Sequence, residues 1–549
     1  MQKRISIGAP VLAATLTTSL LAVPAAASVR PDPTPADRSD AGSRSNGKYD
    51  PCSSPWLSWP AMQTTDPNAG RAVTPPPPPA KRTAATTESS QRPNIVTIMV
   101  DDMRADELSG PWMRHTRALI QDDGASFENS FSPSPVCGPA RASFFSGKYA
   151  HNTGVRTNRG PSAFSRFDDA NTLPVWLQDA GYNTAHLGKY LNGYGSDSPP
   201  GSDGSSPEEY VPPGWDKWYG SLGGSTYRYY NTKLSENGKG TIDLGGRYQT
   251  SAYGSIGSQL VSRMAAEREP FFLDLSFTAP HTGGPREPDD PKIATPARRP
   301  ELRGAYNDRI TQPRGRAGEP CNEDKPRVIS DAPPLSPAKQ AQVVSAARQR
   351  AESLATVDDS VRDVFAALRR SGELDNTYVV FTSDNGYYQG EFRQAFGKEL
   401  PYEPALRTPT LVRGPGIKEG IVRSQPFTTI DFAPTIADMA DARVRAKVDG
   451  ISLLPSATGA DRRWSRAILT DAGPQRGDNE YGYGVRMPGL AYHEFDDSRT
   501  SRELYDLKAD PFENHNVVQD RRYRKVRETM ERVLDRLRGC EGKECRQRW

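Results

Sequence analysis

Apolar residues arrive along this chain in short unbroken runs, separated by longer stretches in which they recur every three or four positions. The first run, Asn94–Val100, ends on Asp101 and Asp102. It has the pattern of a strand buried on both faces with acids at its carboxyl end. Residues 183–187, Pro270–Phe277, Tyr378–Thr382 and Thr410–Val412 read as further strands. Helical signals fall between them, at 111–123, 140–147, 173–180 and near 429–441. Leu354, Val357, Val361, Val364 and Leu368 predict an amphipathic helix over roughly 337–370. Helices alternating with apolar strands predict an α/β fold: a large mixed, mostly parallel sheet sandwiched by helices. After 445, shorter strand candidates and a helix near 518–538 predict a smaller C-terminal α+β subdomain, placing domains at 93–445 and 446–549. Residues 282–336, rich in Pro, Arg and Asp, break the rhythm. A loop of that length inside a domain is usually functional or disordered. No internal repeat is found.

The N-terminus changes the picture. Lys3 and Arg4, the apolar stretch from about Ile7 to Val23, and Ala25 to Ala27 form the pattern of a secretory signal peptide over 1–27. Residues 28–92, with the run Pro75 to Pro79, read as a Pro-rich disordered leader. The chain is therefore expected to be secreted, with no membrane anchor. Its 549 residues suffice for a sizeable core, and 70 basic against 67 acidic side chains give no case for nucleic acid. Of five cysteines, Cys540 and Cys545 are close enough for a small bridge, and Cys52 with Cys321 is a candidate second pair, leaving Cys137 over.

Ligands of open α/β sheets gather beyond the carboxyl ends of the strands. Two predicted strands end there in oxygen-rich pairs, Asp101-Asp102 and Asp384-Asn385. Three carboxylates and an amide oxygen suit a hard cation, Ca²⁺ or Mg²⁺, rather than Zn²⁺; each pair alone reads equally as a helix cap or turn. Cys137 precedes Pro139, which fits just inside a helix start, with Arg141 about a turn further on. A cysteine there is either a thiolate nucleophile or a buried apolar residue.

Cys137 to Arg141 matches C-x-P-x-R, and the chain here resembles the type I, formylglycine-dependent sulfatases. Pro93–Asp102 is similar to the family's P-N-I-x-x-x-x-x-D-D opening, Ser383–Gly386 to its S-D-N-G block, and Glu503–Pro511 to E-L-Y-D-L-x-x-D-P. Gly188–Asn192, Val211–Trp215, the Asn322–Pro326 region, Tyr402-Glu403 and Leu411–Gly416 resemble most the N-acetylglucosamine-6-sulfatase and extracellular heparan sulfatase branch.

The resemblance implies an alkaline-phosphatase-like sulfatase fold. It also implies that a formylglycine-generating enzyme converts Cys137 to Cα-formylglycine, whose hydrate attacks sulfur. Asp101, Asp102, Asp384 and Asn385, with the modified Cys137, would hold one Ca²⁺, Mg²⁺ being the lesser choice. Lys189, His281 and Lys398 match positions that touch the sulfate or its leaving oxygen, and Arg141 would hold the nucleophile and metal ligands in place. The implied substrate is a sulfated small molecule or glycan, an aryl sulfate or a sugar sulfate of the N-acetylglucosamine 6-sulfate type. Where many members carry a histidine two residues after the lysine, this chain has Leu191. His151, His186 or a water oriented by Asn192 are then the alternatives for the base that releases sulfate. His115, His493 and His515 are expected at the surface or in turns, and the Arg-rich stretches 298–316 and 521–537 on solvated faces. Two rival readings are a phosphatase or phosphodiesterase of the same superfamily and a non-catalytic sulfated-glycan binder. The first usually carries a Ser or Thr nucleophile and several histidine ligands; the second would keep Cys137 as a thiol.

Overall fold

In the computed structural model the residues described are 92–201, 206–315, 322–472, 482–495 and 502–548. The expected signal peptide, nearly all of the leader, and both Cys52 and Cys321 lie outside them.

Eight strands make the central sheet: β1 (Asn94–Val100), β2 (Ala125–Phe127), β3 (Asn183–Gly188), β4 (Lys217–Gly220), β5 (Phe271–Ser276), β6 (Thr377–Ser383), β7 (Thr410–Arg413) and β8 (Ile421–Arg423). Their spatial order is β8-β2-β7-β6-β1-β5-β3-β4. All neighbours run parallel except at β7, which is antiparallel to both β6 and β2. The mixed, mostly parallel sheet is the expected one.

Six helices are used below: α1 (Cys137–Ser146), α2 (Leu173–Asp179), α3 (Gln249–Met264), α4 (Pro337–Ser371), α5 (Phe432–Met439) and α6 (Arg524–Leu537). Side chains alternate across a strand, so β1 feeds two cores. Val96, Ile98 and Val100 pack on one face with Val261 of α3 and Leu354, Val357, Val361 and Val364 of α4. Ile95 and Met99 pack on the other with Phe144 of α1, Trp176 of α2 and Ile436 of α5. Helix α4 covers the predicted range; Ser336 caps it by accepting from the Lys339 N–H, and Gly372 closes it in the left-handed conformation.

The C-terminal part holds a four-stranded antiparallel sheet, β9 (Ile468–Ala472), β10 (Gly482–Met487), β11 (Leu490–Phe495) and β12 (Arg502–Asp506). Met530, Val533, Leu534 and Leu537 of α6 share a core with Leu469, Val485, Tyr492 and Leu504, beside the Cys540–Cys545 disulfide.

Several expectations are corrected. The helix over 111–123 is a chain of short pieces, 3₁₀ at Pro111–Met113, α at Arg114–Thr116 and π at Arg117–Gln121. Helix α3 was not predicted: its sequence is rich in Ser and Gly, and the apolar stripe is thin. Arg298 is not on a solvated face but buried, with Glu287 and Glu352 at 2.8 and 2.6 Å. His493 is buried too, 3.6 Å from Glu513, because β10 and β12 flank its strand.

Candidate active site

In the register of β1 and β6, Val100 stands opposite Ser383. The next residues on each strand, Asp101-Asp102 and Asp384-Asn385, therefore leave the sheet side by side, although 283 positions separate them. Asp102 takes a left-handed backbone, φ 69°, held by its N–H donating to Asp384 Oδ1 at 3.1 Å. A non-glycine residue in that conformation stores strain of the kind found at functional sites.

Cys137 is the first residue of α1, and every residue of that helix is buried. Its Sγ lies 3.3 Å from Asp101 Oδ1 and 4.0 Å from Asp102 Oδ1, and Lys398 Nζ reaches it at 2.7 Å. Lys398 also pairs with Asp102 and stands 3.3 Å from Asn385 Oδ1, while the Asn385 amide donates to Asp102 Oδ1 at 2.7 Å. Arg141 bonds to the later oxygen-rich pair and to the lysine loop. Its Nε donates to Asp384 Oδ2 at 2.8 Å and its Nη1 to the Lys189 carbonyl at 2.7 Å, so it ties the later acid to the lysine loop.

Lys189 follows β3 directly and pairs with Asp101. Gly188 makes this possible: its φ is +113°, and a Cβ there would lie 2.0 Å from the Ser276 carbonyl. Only glycine lets the strand end bend so tightly, and the Lys189 N–H then donates to that carbonyl at 2.9 Å. His281, beyond β5, stands with Nε2 3.7 Å from Asp102 Oδ2. Its Nδ1 is 2.7 Å from the Thr282 carbonyl, which fixes the proton on Nδ1 and leaves the Nε2 lone pair facing the cluster.

All nine residues singled out in the sequence thus meet at the carboxyl ends of β1, β3, β5 and β6. The alternatives for the base separate. His186 is fully buried, with Nδ1 2.8 Å from Asp274 and Nε2 3.2 Å from the Gly188 carbonyl; His151 turns to the Cys540 carbonyl at 2.9 Å. Neither faces the cluster. Asn192 does lie nearby, donating to the Tyr227 hydroxyl at 3.0 Å. Tyr227 was missed, since nothing in Thr226–Tyr230 marks one tyrosine from its neighbours.

Electrostatics sort the groups. Burial alone would push the Asp101 carboxyl up, but Lys189 and His281 outweigh it and hold the value at about 2. Asp102 is likewise lowered, burial being outweighed by Lys398. Burial and the Asp101 charge push the Cys137 thiol up, so it stays protonated at neutral pH and is no thiolate nucleophile. Burial holds the His281 imidazole below its ordinary value.

Oxygens of Asp101 and Asp102, Cys137 Sγ and a His281 nitrogen all lie within 4.8 Å of one another. With Asp384 and Asn385 the donors are predominantly hard oxygens, and their charge is met by three buried cations: Lys189 on Asp101, Arg141 on Asp384, and Lys398 on Asp102 and Asn385. A donor set of this kind fits a hard divalent cation.

A mixed α/β sheet with a buried carboxylate cluster, two lysines and a histidine at its carboxyl edge is the framework of a hydrolase acting on an anionic ester. The Sulfatase family pattern matches residues 93–442, and that of the N-sulphoglucosamine sulphohydrolase C-terminal region matches 390–539. The chain belongs to the sulfatase family, and with it to the sulfuric ester hydrolases. It is 31% identical over 507 residues to an N-acetylglucosamine-6-sulfatase of Capra hircus, covering 84% of this chain and 86% of that one. It is 32% identical over 399 residues to the extracellular sulfatase SULF-1 homolog of Drosophila melanogaster, covering 70% of this chain but only 33% of that longer protein. Among solved structures, a protein crystallised with its substrate D-glucosamine-2-N,6-O-disulfate shares the fold, with a TM-score of 0.66 at 24% identity over 81% of this chain and 97% of that one.

Proposed function

We propose that this chain is an exported sulfatase that releases inorganic sulfate from a sulfate ester, its preferred class being a sugar 6-sulfate of the N-acetylglucosamine type. The observation that carries the reading is the meeting of Cys137 with Asp101, Asp102, Asp384, Lys189, His281 and Lys398 in one buried cluster. The sugar preference rests on the likeness to N-acetylglucosamine-6-sulfatases over most of the chain. Cys137 oxidised to formylglycine would supply, as its hydrate, a hydroxyl nucleophile and an aldehyde that re-forms when sulfate leaves. Asp101, Asp102, Asp384 and Asn385 would hold a calcium ion, whose charge would acidify that hydroxyl and draw in the sulfate oxygens.

This chain's own residues do the rest. Lys189 and Lys398 place positive charge on the non-bridging oxygens, where it counts most in a water-poor site. Arg141 keeps Asp384 and the Lys189 loop in fixed relation. His281, neutral near pH 7 with its Nε2 lone pair facing the cluster, takes the proton of the attacking hydroxyl at Nε2 and passes it to the oxygen of the departing alcohol.

Two measurements on protein from its secreting host test the reading: the mass of the Cys137 peptide, and sulfate release from 4-nitrophenyl sulfate and N-acetylglucosamine 6-sulfate. The expected outcome is a formylglycine mass with turnover that a chelator removes and Ca²⁺ restores. An unmodified thiol in every copy, with no turnover, would replace it by the glycan-binder reading.

A further inference from the structure

We propose that Tyr227 is a positioning residue that holds Lys189 and His281 in their reacting geometry; the inference rests on the sulfatase reading above. Three loops meet at this side chain. Lys189 and Asn192 come from the loop after β3, Tyr227 from the loop after β4, and His281 from the loop after β5. The Tyr227 ring lies 4.5 Å from the His281 imidazole, centroid to centroid, at an interplanar angle of 33°. Lys189 Nζ stands over the same ring, 5.1 Å from its centroid, and the phenol oxygen accepts from Asn192 Nδ2 at 3.0 Å.

The backbone around Tyr227 is fastened to the histidine loop. The Gly284 N–H donates to the Tyr227 carbonyl, and the Tyr229 N–H to the Gly284 carbonyl, both at 2.9 Å. The Tyr229 hydroxyl donates to the His281 carbonyl at 2.7 Å. A Cβ on Gly283 would lie 2.5 Å from the Tyr227 carbonyl, so the two segments touch backbone to backbone. Tyr227 therefore sits on a platform built into the histidine loop and holds its ring against two reacting groups.

An aromatic face attracts a cation and limits the tilt of a neighbouring ring. Lys189 has its own carboxylate, Asp101, which alone would leave the ammonium free to follow that acid. The ring of Tyr227 gives it a second, fixed contact. Without the ring, His281 keeps its backbone anchor but loses the wall that sets its plane.

The test compares wild type with Tyr227→Leu and Tyr227→Phe, all carrying formylglycine, on 4-nitrophenyl sulfate and on a sugar sulfate. A misplaced proton-transfer group costs more when the leaving alcohol is a poor one, so the sugar ester reports His281 placement. Tyr227→Leu is expected to lower kcat on the sugar ester about 10- to 100-fold, with a smaller loss on the nitrophenyl ester and KM changed less than about threefold. Tyr227→Phe, which keeps the ring, is expected to retain kcat on the sugar ester within roughly fivefold. If Leu does not fold, Met replaces it. Equal losses on the two esters, a Phe variant as impaired as Leu, or a Leu variant equal to wild type would each overturn the assignment. Failure of the wild-type enzyme on every sulfate ester would instead remove the function on which it rests.

Discussion

A thiol at the first position of a helix usually gains acidity from the helix dipole, yet at Cys137 burial and the Asp101 charge win and keep it protonated. Cys137→Ala is accordingly expected to remove turnover by at least about 10⁴-fold while the protein still folds. Steady-state rates and urea melts of the variant check both halves. Lys189 has a second duty in the protein without metal, since it compensates a fully buried acid. Lys189→Met should cost roughly 3–5 kcal/mol at pH 7 by leaving Asp101 unpaired. The Asp101 carboxyl is depressed to about 2 in the folded state from an ordinary 3.8, so its contribution is in place above the unfolded value and fades as pH falls from 3.8 through about 2. Melts of metal-free wild type and variant should therefore differ most at pH 7 and converge toward pH 2. For His281, whose value lies below the ordinary 6.5, kcat/KM should drop only as pH falls beneath that number, and His281→Ala should lack this limb. At this scale the sequence showed the acids, Cys137 and both lysines because short motifs carry them. It hid His493 and Arg298, whose burial depends on partners brought in by the fold.

Elements whose apolar pattern is continuous were legible: β1, β3, β5, β6 and α4 lie where the pattern put them. Helix α3 was not, because its sequence is selected for closeness rather than for burial of large side chains. A Cβ on Gly254 would stand 2.4 Å from Ser360 Oγ and 3.1 Å from Ser360 Cα, so α3 and α4 pack with almost no space at that crossing. Gly→Ala in a helix interior ordinarily stabilises by about 0.5–1 kcal/mol. Here the sign should reverse, with Gly254→Ala destabilising by about 1–3 kcal/mol through overpacking. Thermal melts decide it, and an unchanged or raised midpoint would contradict the close packing.

Across the whole molecule, the segment after Lys398 is clamped to the C-terminal sheet by a buried charged cluster. The Glu403 N–H donates to Glu513 Oε2 at 2.8 Å, Arg486 Nε lies 2.6 Å from Glu403, and Lys325 Nζ donates to the Tyr505 hydroxyl at 2.7 Å. Burial and the neighbouring Glu403 charge push the Glu513 carboxyl up to about 8. A carboxyl raised by folding stabilises below its unfolded value near 4.5, and that contribution is lost as pH climbs through about 8. Glu513→Gln should thus gain stability relative to wild type between pH 5 and pH 8.5, as read from urea melts at the two values. The E-L-Y-D-L-K-A-D-P segment was readable as a motif, but its place beneath the Lys398 loop was not, since no periodicity relates residues a hundred positions apart.

The sealing of Cys137, 1% exposed at the carboxyl ends of β1 and β6, also sets a clock. Under the formylglycine reading, a modifying enzyme has to reach the thiol while the chain is still open. Roughly 250 residues separate Cys137 from the end of β6, which at 5–20 residues per second gives an interval of roughly 12–50 s before the closing strand has even been made. Order of synthesis then sets the order of chemistry: the thiol is in hand early, and Asp384 and Lys398, which close the cluster, come last. Folded, unmodified protein presented to the modifying enzyme should stay unconverted, and the same protein unfolded in urea and diluted into the reaction should be converted before it closes.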